Sequence, residues 1–410
     1  MHSNFNIATV RAKFPILNEK VNGKNLVYLD NAATTQKPQS VIDALQQYYS
    51  HDNANIHRSA HTLASRSTVN FENTRTQIQS FVNAKEAAEC IFTKGVTESI
   101  NLVAASYGKL VLQPGDQVLV TEMEHHSNLV PWQRICEETG AQIIAIPVEK
   151  DGTLNLETAL TFLNEKVKIL SMVWVSNALG TINPIKKMID AAHQIGAKVM
   201  IDAAQAASHF KIDVQELDCD FMAISSHKLY GPTGLGVLYG KRALLEAMPP
   251  YQSGGEMIKE VFLNHSTYNE LPYKFEAGTP NIADVIAFEK ALAFVTEIGH
   301  DQIAAHEQAL YQHFINAIQN SAFEGIQLVG TAAHKISVQS FLVAGMHHFD
   351  VGMLLDAAGI AVRTGHHCTQ PLMRKFGIEG TVRASFAVYN TLEEIDYFVE
   401  RLHKICTRTR

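Results

Sequence analysis

The stretch "KILSMVWVSNALGTINPIKKMIDAAHQIGAKVMID", residues 168–202, decides the fold. Its two apolar ends, KILSMVWV (168–175) and KVMID (198–202), have no polar alternation, as strands buried on both faces of a parallel sheet require. Between them NPIKKMIDAAHQIG has helical spacing. Asn183 is placed to cap the helix, Pro184 to occupy its first position and Gly196 to end it. This is a strand–helix–strand crossover, and the pattern extends both ways. QVLVTE (117–122) follows the turn Pro114-Gly115-Asp116. A helix from about Leu129 closes at Gly140 before QIIAIPV (142–148), and DFMAIS (220–225) continues the series. Such an order predicts a doubly wound α/β sheet. GLGVLYG (234–240) returns after too short a connection for a parallel crossover and is expected as an antiparallel strand of the same sheet.

Beyond residue 281 the organisation changes. Two helical stretches (281–299 and 301–320), the strands IQLVG and KISVQSFLVA, and a last helix follow. The last helix starts at NTLEE, where Thr391 and Glu394 have capping-box spacing, and continues with Ile395, Phe398, Leu402 and Ile405 on one face. The expected division is an N-terminal arm (1–25) packing on a small α+β domain (293–410), and a large α/β domain (26–292). Two or three domains suit 410 residues at about 150 residues each.

With 46 % hydrophobic and 18 % charged residues, this is a globular composition able to form a large core. A net charge of −7 and the lack of a basic run argue against nucleic acid as a partner, and the terminal TRTR reads as a solvated tail. The N-terminal stretch lacks the apolar region of a secretory signal, and no apolar run reaches the ~18 residues of a membrane helix. Five widely spaced cysteines without a CxxC fit reduced thiols, so a cytoplasmic location is expected. Cys90, Cys136, Cys219 and Cys406 lie in helix or strand patterns and read as small packing residues.

Ligands of open α/β sheets bind beyond the carboxyl ends of the strands. Three features stand there. Lys228, in SSHK, is a candidate Schiff-base lysine. Asp202 ends an apolar strand, where a carboxylate needs a cation; a protonated pyridine nitrogen would serve, and Gln205 is placed to reach a phenolic oxygen beside it. Gly95 precedes a helix from about Thr97, whose N-terminus suits one phosphate and lacks the dinucleotide and P-loop fingerprints. Together they point to pyridoxal 5′-phosphate (PLP). VRTGHHCTQPL (362–372) adds Cys368, open to a nucleophile, metal-ligand or packing role. Adjacent side chains diverge, so neither His366-His367-Cys368 nor His125-His126 forms a simple metal site, and none is expected.

These residues resemble the class V aminotransferase-like enzymes of PLP fold type I, and within them the group II cysteine desulfurases of the SufS and CsdA type. The matching stretches are YLDNAATTQKP, NIHRSAHTL, GVTESINLVA, MEHHSNLVPWQ, VSNALGTINP, IDAAQA, SSHKLYGPTGLGVLYG, FEAGTPN, VRTGHHCTQPL and RASFAVYNT, spanning residues 28–391. The resemblance implies a mostly parallel seven-stranded sheet and conversion of L-cysteine to L-alanine, with a persulfide formed on Cys368. Sulfur would pass to iron–sulfur cluster assembly or another thio-cofactor. Selenocysteine lyase and class V aminotransferase are the alternatives on this scaffold. By resemblance Lys228 carries the PLP Schiff base, His125 stacks on the ring and moves protons, and Asp202 and Gln205 hold N1 and O3′. The Val96 backbone, Thr97, Ser225 and His227 hold the phosphate, with Thr279 reaching in from the second subunit of a homodimer. Arg383 and Asn177 bind the substrate carboxylate, and Arg363 shapes the site. A SufE-like sulfur acceptor is the expected partner. The chain departs from the family pattern at Val96 (commonly Thr), at Ala203 (commonly Gly) and at Ser226 (commonly Gly).

Overall fold

In the computed structural model, which describes residues 5–320 and 325–408, the carboxyl ends of six parallel strands gather along one edge of a twisted sheet. The strands are β1 (Cys90–Thr93), β2 (Gln117–Thr121), β3 (Gln142–Ile146), β4 (Val167–Val173), β5 (Lys198–Asp202), β6 (Phe221–Ser225) and β7 (Gly236–Gly240). Their spatial order is β1-β7-β6-β5-β4-β2-β3. β7 runs antiparallel to both β6 and β1, as its short connection requires, and the other pairings are parallel. Every residue of β1, β6 and β7 is buried, which is why these segments read as unbroken apolar runs. This is the mixed α/β architecture of PLP fold type I.

The helix Ile282–Ile298 buries residues around nearly its whole circumference, packing on the helices Gln39–Gln47 and Thr62–Val82. A second, antiparallel sheet follows. It contains β8 (Ile326–Val329), β9 (Val338–Val343), β10 (Arg363–Gly365) and β11 (Thr381–Ser385) in the order β8-β9-β11-β10. The helices His300–Asn320, His348–Asp356 and Leu392–Arg408 share a core with it through Phe314, Val351, Leu355, Phe398 and Leu402. The capping box of the last helix forms: Thr391 Oγ1 accepts from Glu394 N–H, and Glu394 Oε2 accepts from Thr391 N–H. In the arm, Arg11 pairs with Glu394 at 2.6 Å, Lys13 with Glu297 at 3.0 Å, and Phe14 is enclosed by Tyr230, Phe294 and Tyr389. Residues 1–4 and the last two residues of TRTR lie outside the described residues.

One local expectation is corrected. Asn183 does not cap the crossover helix, which runs Ile185–Gln194 with Pro184 in the capping position. The Asn183 amide instead donates to Val173 O at 2.8 Å, because its side chain is buried beside the end of β4 and must satisfy its polar group there.

Gly236 fixes the approach of β7 to the turn before the helix Val96–Val103. A Cβ there would lie 2.4 Å from Gly95 Cα and 2.8 Å from Ile224 O, both backbone atoms that cannot swing aside. Gly236→Ala is therefore expected to destabilise the fold by about 1–3 kcal/mol. Urea unfolding checks this, and an unchanged midpoint would show that the two backbones separate freely.

Candidate active site

The strand ends open into a cleft of about 430 Å³ that Lys228, Asp202, His125, Arg383 and Cys368 all line. Each is delivered by a different element. Asp202 is the last residue of β5 and is 2 % exposed. Its Oδ1 accepts the Ala204 N–H at 2.9 Å, and burial raises its pKa. No salt bridge reaches it among the described residues, and the Lys228 charge, at longer range, is the cation that opposes this rise. Lys228 closes the short turn Ser226–Lys228 after β6. Burial lowers its pKa and the Arg383 charge adds to this, while the Asp202 carboxylate opposes. A lysine so placed loses its proton easily and becomes nucleophilic.

The turn carrying Lys228 is held from behind. The His227 carbonyl accepts from Thr35 N–H at 3.1 Å and from Lys37 Nζ at 2.8 Å. Burial pulls Lys37 down to about 7. His125 follows β2 and caps the turn His126–Asn128, its Nδ1 accepting from Ser127 N–H at 3.1 Å. Burial, with the Lys228 charge next, pushes His125 down to about 3, so its ring is neutral at physiological pH. The loop is anchored by Glu124, which accepts from Asn128 Nδ2 at 2.6 Å and Val173 N–H at 3.0 Å, and burial raises it to about 8. Gln205 donates one amide hydrogen to Ala32 O at 2.7 Å and keeps the other.

At the other end of the cleft Gly95, with φ +146°, starts the helix Val96–Val103. Thr97, Ser225 and His227 surround its N-terminus, where free N–H groups favour an anion. The Val96 N–H, expected to be available there, donates to Ser225 Oγ at 3.2 Å. Thr279 is not in this cleft. It lines a neighbouring hollow with Lys94, Glu276 and Tyr251.

Arg383 on β11 stands directly opposite Arg363 on β10. Like charges in register repel, and Asp30 sits between them. Its Oδ1 is 3.2 Å from Arg383 Nη2, and its Oδ2 is 3.9 Å from Arg363 Nη1. Arg383 also donates to Asn177 O at 2.9 Å, and its Nε is buried without a partner. Asn177 donates to His367 O at 2.8 Å and leaves its Oδ1 unmatched. The Arg383 Nε and the Asn177 Oδ1 are thus an unsatisfied donor and acceptor of residues that line the cleft.

Cys368 lies on the loop after β10. His367 and Cys368 both have left-handed backbones, with φ 52° and 57°, which costs roughly 1–2 kcal/mol each for residues with a Cβ. Of the paired histidines, His367 is buried, its Nε2 2.7 Å from Thr381 Oγ1. Burial, then Arg383, holds it well below the usual histidine range, so it brings no positive charge to the thiol. His366 Nδ1 accepts the Cys368 N–H at 3.0 Å. The other four cysteines are buried. Among the described residues no group of three or more His, Cys, Asp or Glu is placed to hold a metal, and no helix is long and apolar enough to cross a membrane.

Sequence reasoning missed Asp30, Glu124 and Lys37, and weighed His126 only as a metal ligand. Asp30 carried a signal, since it ends the apolar LVYL run as Asp202 ends its own strand. Glu124 and Lys37 carried none, because a polar residue that braces a loop from behind looks like any surface residue.

The class defined by this fold and cleft is a fold-type I enzyme scaffold. A family model described as Aminotransferase class-V matches residues 27–398. A cysteine desulfurase of Synechococcus elongatus is 50 % identical over 98 % of the chain, which spans 64 % of that relative's length. A probable cysteine desulfurase of Mycobacterium leprae is also 50 % identical, with 65 % of its length spanned. The chain thus covers just under two thirds of these two relatives. A probable cysteine desulfurase of Halalkalibacterium halodurans is 49 % identical, with 97 % of this chain and 98 % of the relative covered. The crystal structure of cysteine desulfurase CsdA from Escherichia coli superposes with a TM-score of 0.92 at 40 % identity, covering 99 % of this chain and all of that one. The chain belongs to the class V aminotransferase family.

Three histidines of the cleft, His125, His227 and His367, are held neutral by burial, with His227 pushed down to about 4. In the unfolded chain each titrates near 6.5. The folded state therefore binds fewer protons, and stability is lost as pH falls below about 6.5. His367→Gln removes one such group. The slope of unfolding free energy against pH should fall by about 0.7 kcal/mol per unit at pH 6.5, approaching about 1.4 roughly one pH unit lower. Denaturant titrations at several pH values measure it, and an unchanged slope would mean that His367 is protonated in the fold.

Proposed function

We propose that this chain is a PLP-dependent cysteine desulfurase that converts L-cysteine to L-alanine and leaves a persulfide on Cys368. The carrying observation is one cleft lined at once by a depressed-pKa lysine, a buried aspartate without a salt bridge, a buried arginine and a half-buried cysteine. The residues fit the cofactor. Asp202 would face the pyridine nitrogen, the free amide hydrogen of Gln205 would reach the phenolic oxygen, and the neutral His125 ring would cover one face. Thr97, Ser225 and His227 at the helix N-terminus would hold the phosphate, and Thr279 from a second copy would complete it. The hollow that holds Thr279 adjoins the same Lys94–Glu98 turn, which supports this trans placement. The arm (1–25), large domain (26–292) and small domain (293–410) would then bring Lys228 and Cys368 to opposite walls.

Bound PLP supplies electron withdrawal at the substrate's α-carbon. The chain does the rest. Arg383, already oriented by Asp30 and Asn177, clamps the carboxylate through charge-assisted bonds. Lys228, once released, takes the α-proton with its neutral amine. The Cys368 thiolate then attacks the substrate sulfur. A sulfur–sulfur bond forms as the carbon–sulfur bond breaks, its electron pair staying with the β-carbon; that carbon takes one proton, and the α-carbon takes its proton back from Lys228, to give L-alanine.

The same reading places the protein as a cytoplasmic homodimer that supplies sulfur for iron–sulfur clusters through a SufE-like acceptor. The relatives' names support the desulfurase over the aminotransferase alternative, and the thiol in the cleft has no role in transamination. Cys368→Ala should abolish alanine and persulfide formation from L-cysteine, by at least about a hundredfold. Retained turnover of L-selenocysteine alone would move the reading to a selenocysteine lyase, and retained turnover of L-cysteine would end it. Lys228→Ala should lack the yellow chromophore of the PLP-loaded protein, read by absorbance.

A further inference from the structure

We propose that His126 is a positioning residue that latches the Cys368 loop across the cleft. It deepens the reading in which Cys368 carries the sulfur. His126 grips the loop at two points. Its backbone N–H donates to Cys368 O at 2.8 Å, and its ring Nε2 accepts the Gln370 N–H at 3.2 Å. Its ring also lies 5.5 Å from that of His366, at 37°. His366 Nδ1 in turn accepts the Cys368 N–H. Cys368 is therefore held through both its N–H and its C=O.

The chemistry of these contacts is fixed. A backbone N–H can only donate, so the His126 Nε2 and the His366 Nδ1 carry no proton. Gln370 is the first residue of the helix Gln370–Lys375, so its N–H has no partner within that helix. Thr369, the residue placed to cap it, makes no side-chain cap bond. His126 supplies the cap from another loop. The latch also opposes relaxation. His367 and Cys368 are held in left-handed conformations that residues with a Cβ leave when released. Latched, Cys368 faces the cleft. Unlatched, the loop relaxes and exposes the thiol to solvent and to an acceptor.

Two measurements on the PLP-loaded protein test this without turnover. The first is alkylation of Cys368 by iodoacetamide, read by peptide mass; the other four cysteines are buried. His126→Ala should raise the rate about fivefold, the shift expected for one ordinary hydrogen bond. His126→Gln should bring it back towards the parent rate, because its amide oxygen can again accept the Gln370 N–H. The second is hydrogen exchange of the Gln370 amide in the unsubstituted protein, which should be protected despite its place at a helix start. An alanine variant within about twofold of the parent, a glutamine variant as fast as alanine, or an unprotected Gln370 amide would overturn the latch. Cys368→Ala that still turns over L-cysteine would end the desulfurase reading and leave the latch intact.

Discussion

Asp30 between two arginines is the contact on which the site depends. Arg363 and Arg383 face each other in register on neighbouring strands, and without an anion between them the pair would push the strands apart. Asp30 comes from the segment after Val27–Tyr28, which itself pairs in parallel with Ile360–Ala361. Thus the bond that neutralises the arginines also joins the N-terminal part of the chain to the second sheet. Burial raises the Asp30 pKa, and the two guanidiniums oppose that rise. Arg383 is left oriented, with its Nε buried and unsatisfied.

Low dielectric does the remaining tuning. Desolvation acts first at Asp202, Lys228, His125, His227 and His367 alike, and it disfavours charge in each. The result is a cleft of neutral histidines, an amine prone to lose its proton and a carboxylate in need of a cation. A charged aromatic nitrogen entering the cleft relieves the last of these. Binding of such a group is therefore coupled to the state of the lysine next to it.

The cysteine loop is built differently. It is strained in its backbone and held by polar contacts, several of them to residues from other loops: Asn177 to His367 O, His126 N–H to Cys368 O, and His126 Nε2 to Gln370 N–H. A net value near 1 kcal/mol per hydrogen bond is similar to the strain per residue. A loop balanced in this way can hold a thiol in the cleft and still let it go.

Much of this was legible in the chain. The apolar runs ending in Asp202 and Ser225, the glycine before Val96, and the lysine past a strand named the sheet, its ligand edge and the charged residues on it, because strand burial and strand polarity are local properties. The motifs around Lys228 and Cys368 carried the family. The sequence could not show that Asn183 turns inward, that Asp30 separates two arginines, or that His126 rather than Thr369 caps the helix after Cys368. By itself, then, the sequence determined the alternation of strands and helices and the residue types at their ends. Only the tertiary structure decided which of them meet, because hydrogen bonds and charge pairs between residues hundreds of positions apart depend on how the sheets bring their loops together, and no local pattern encodes that distance.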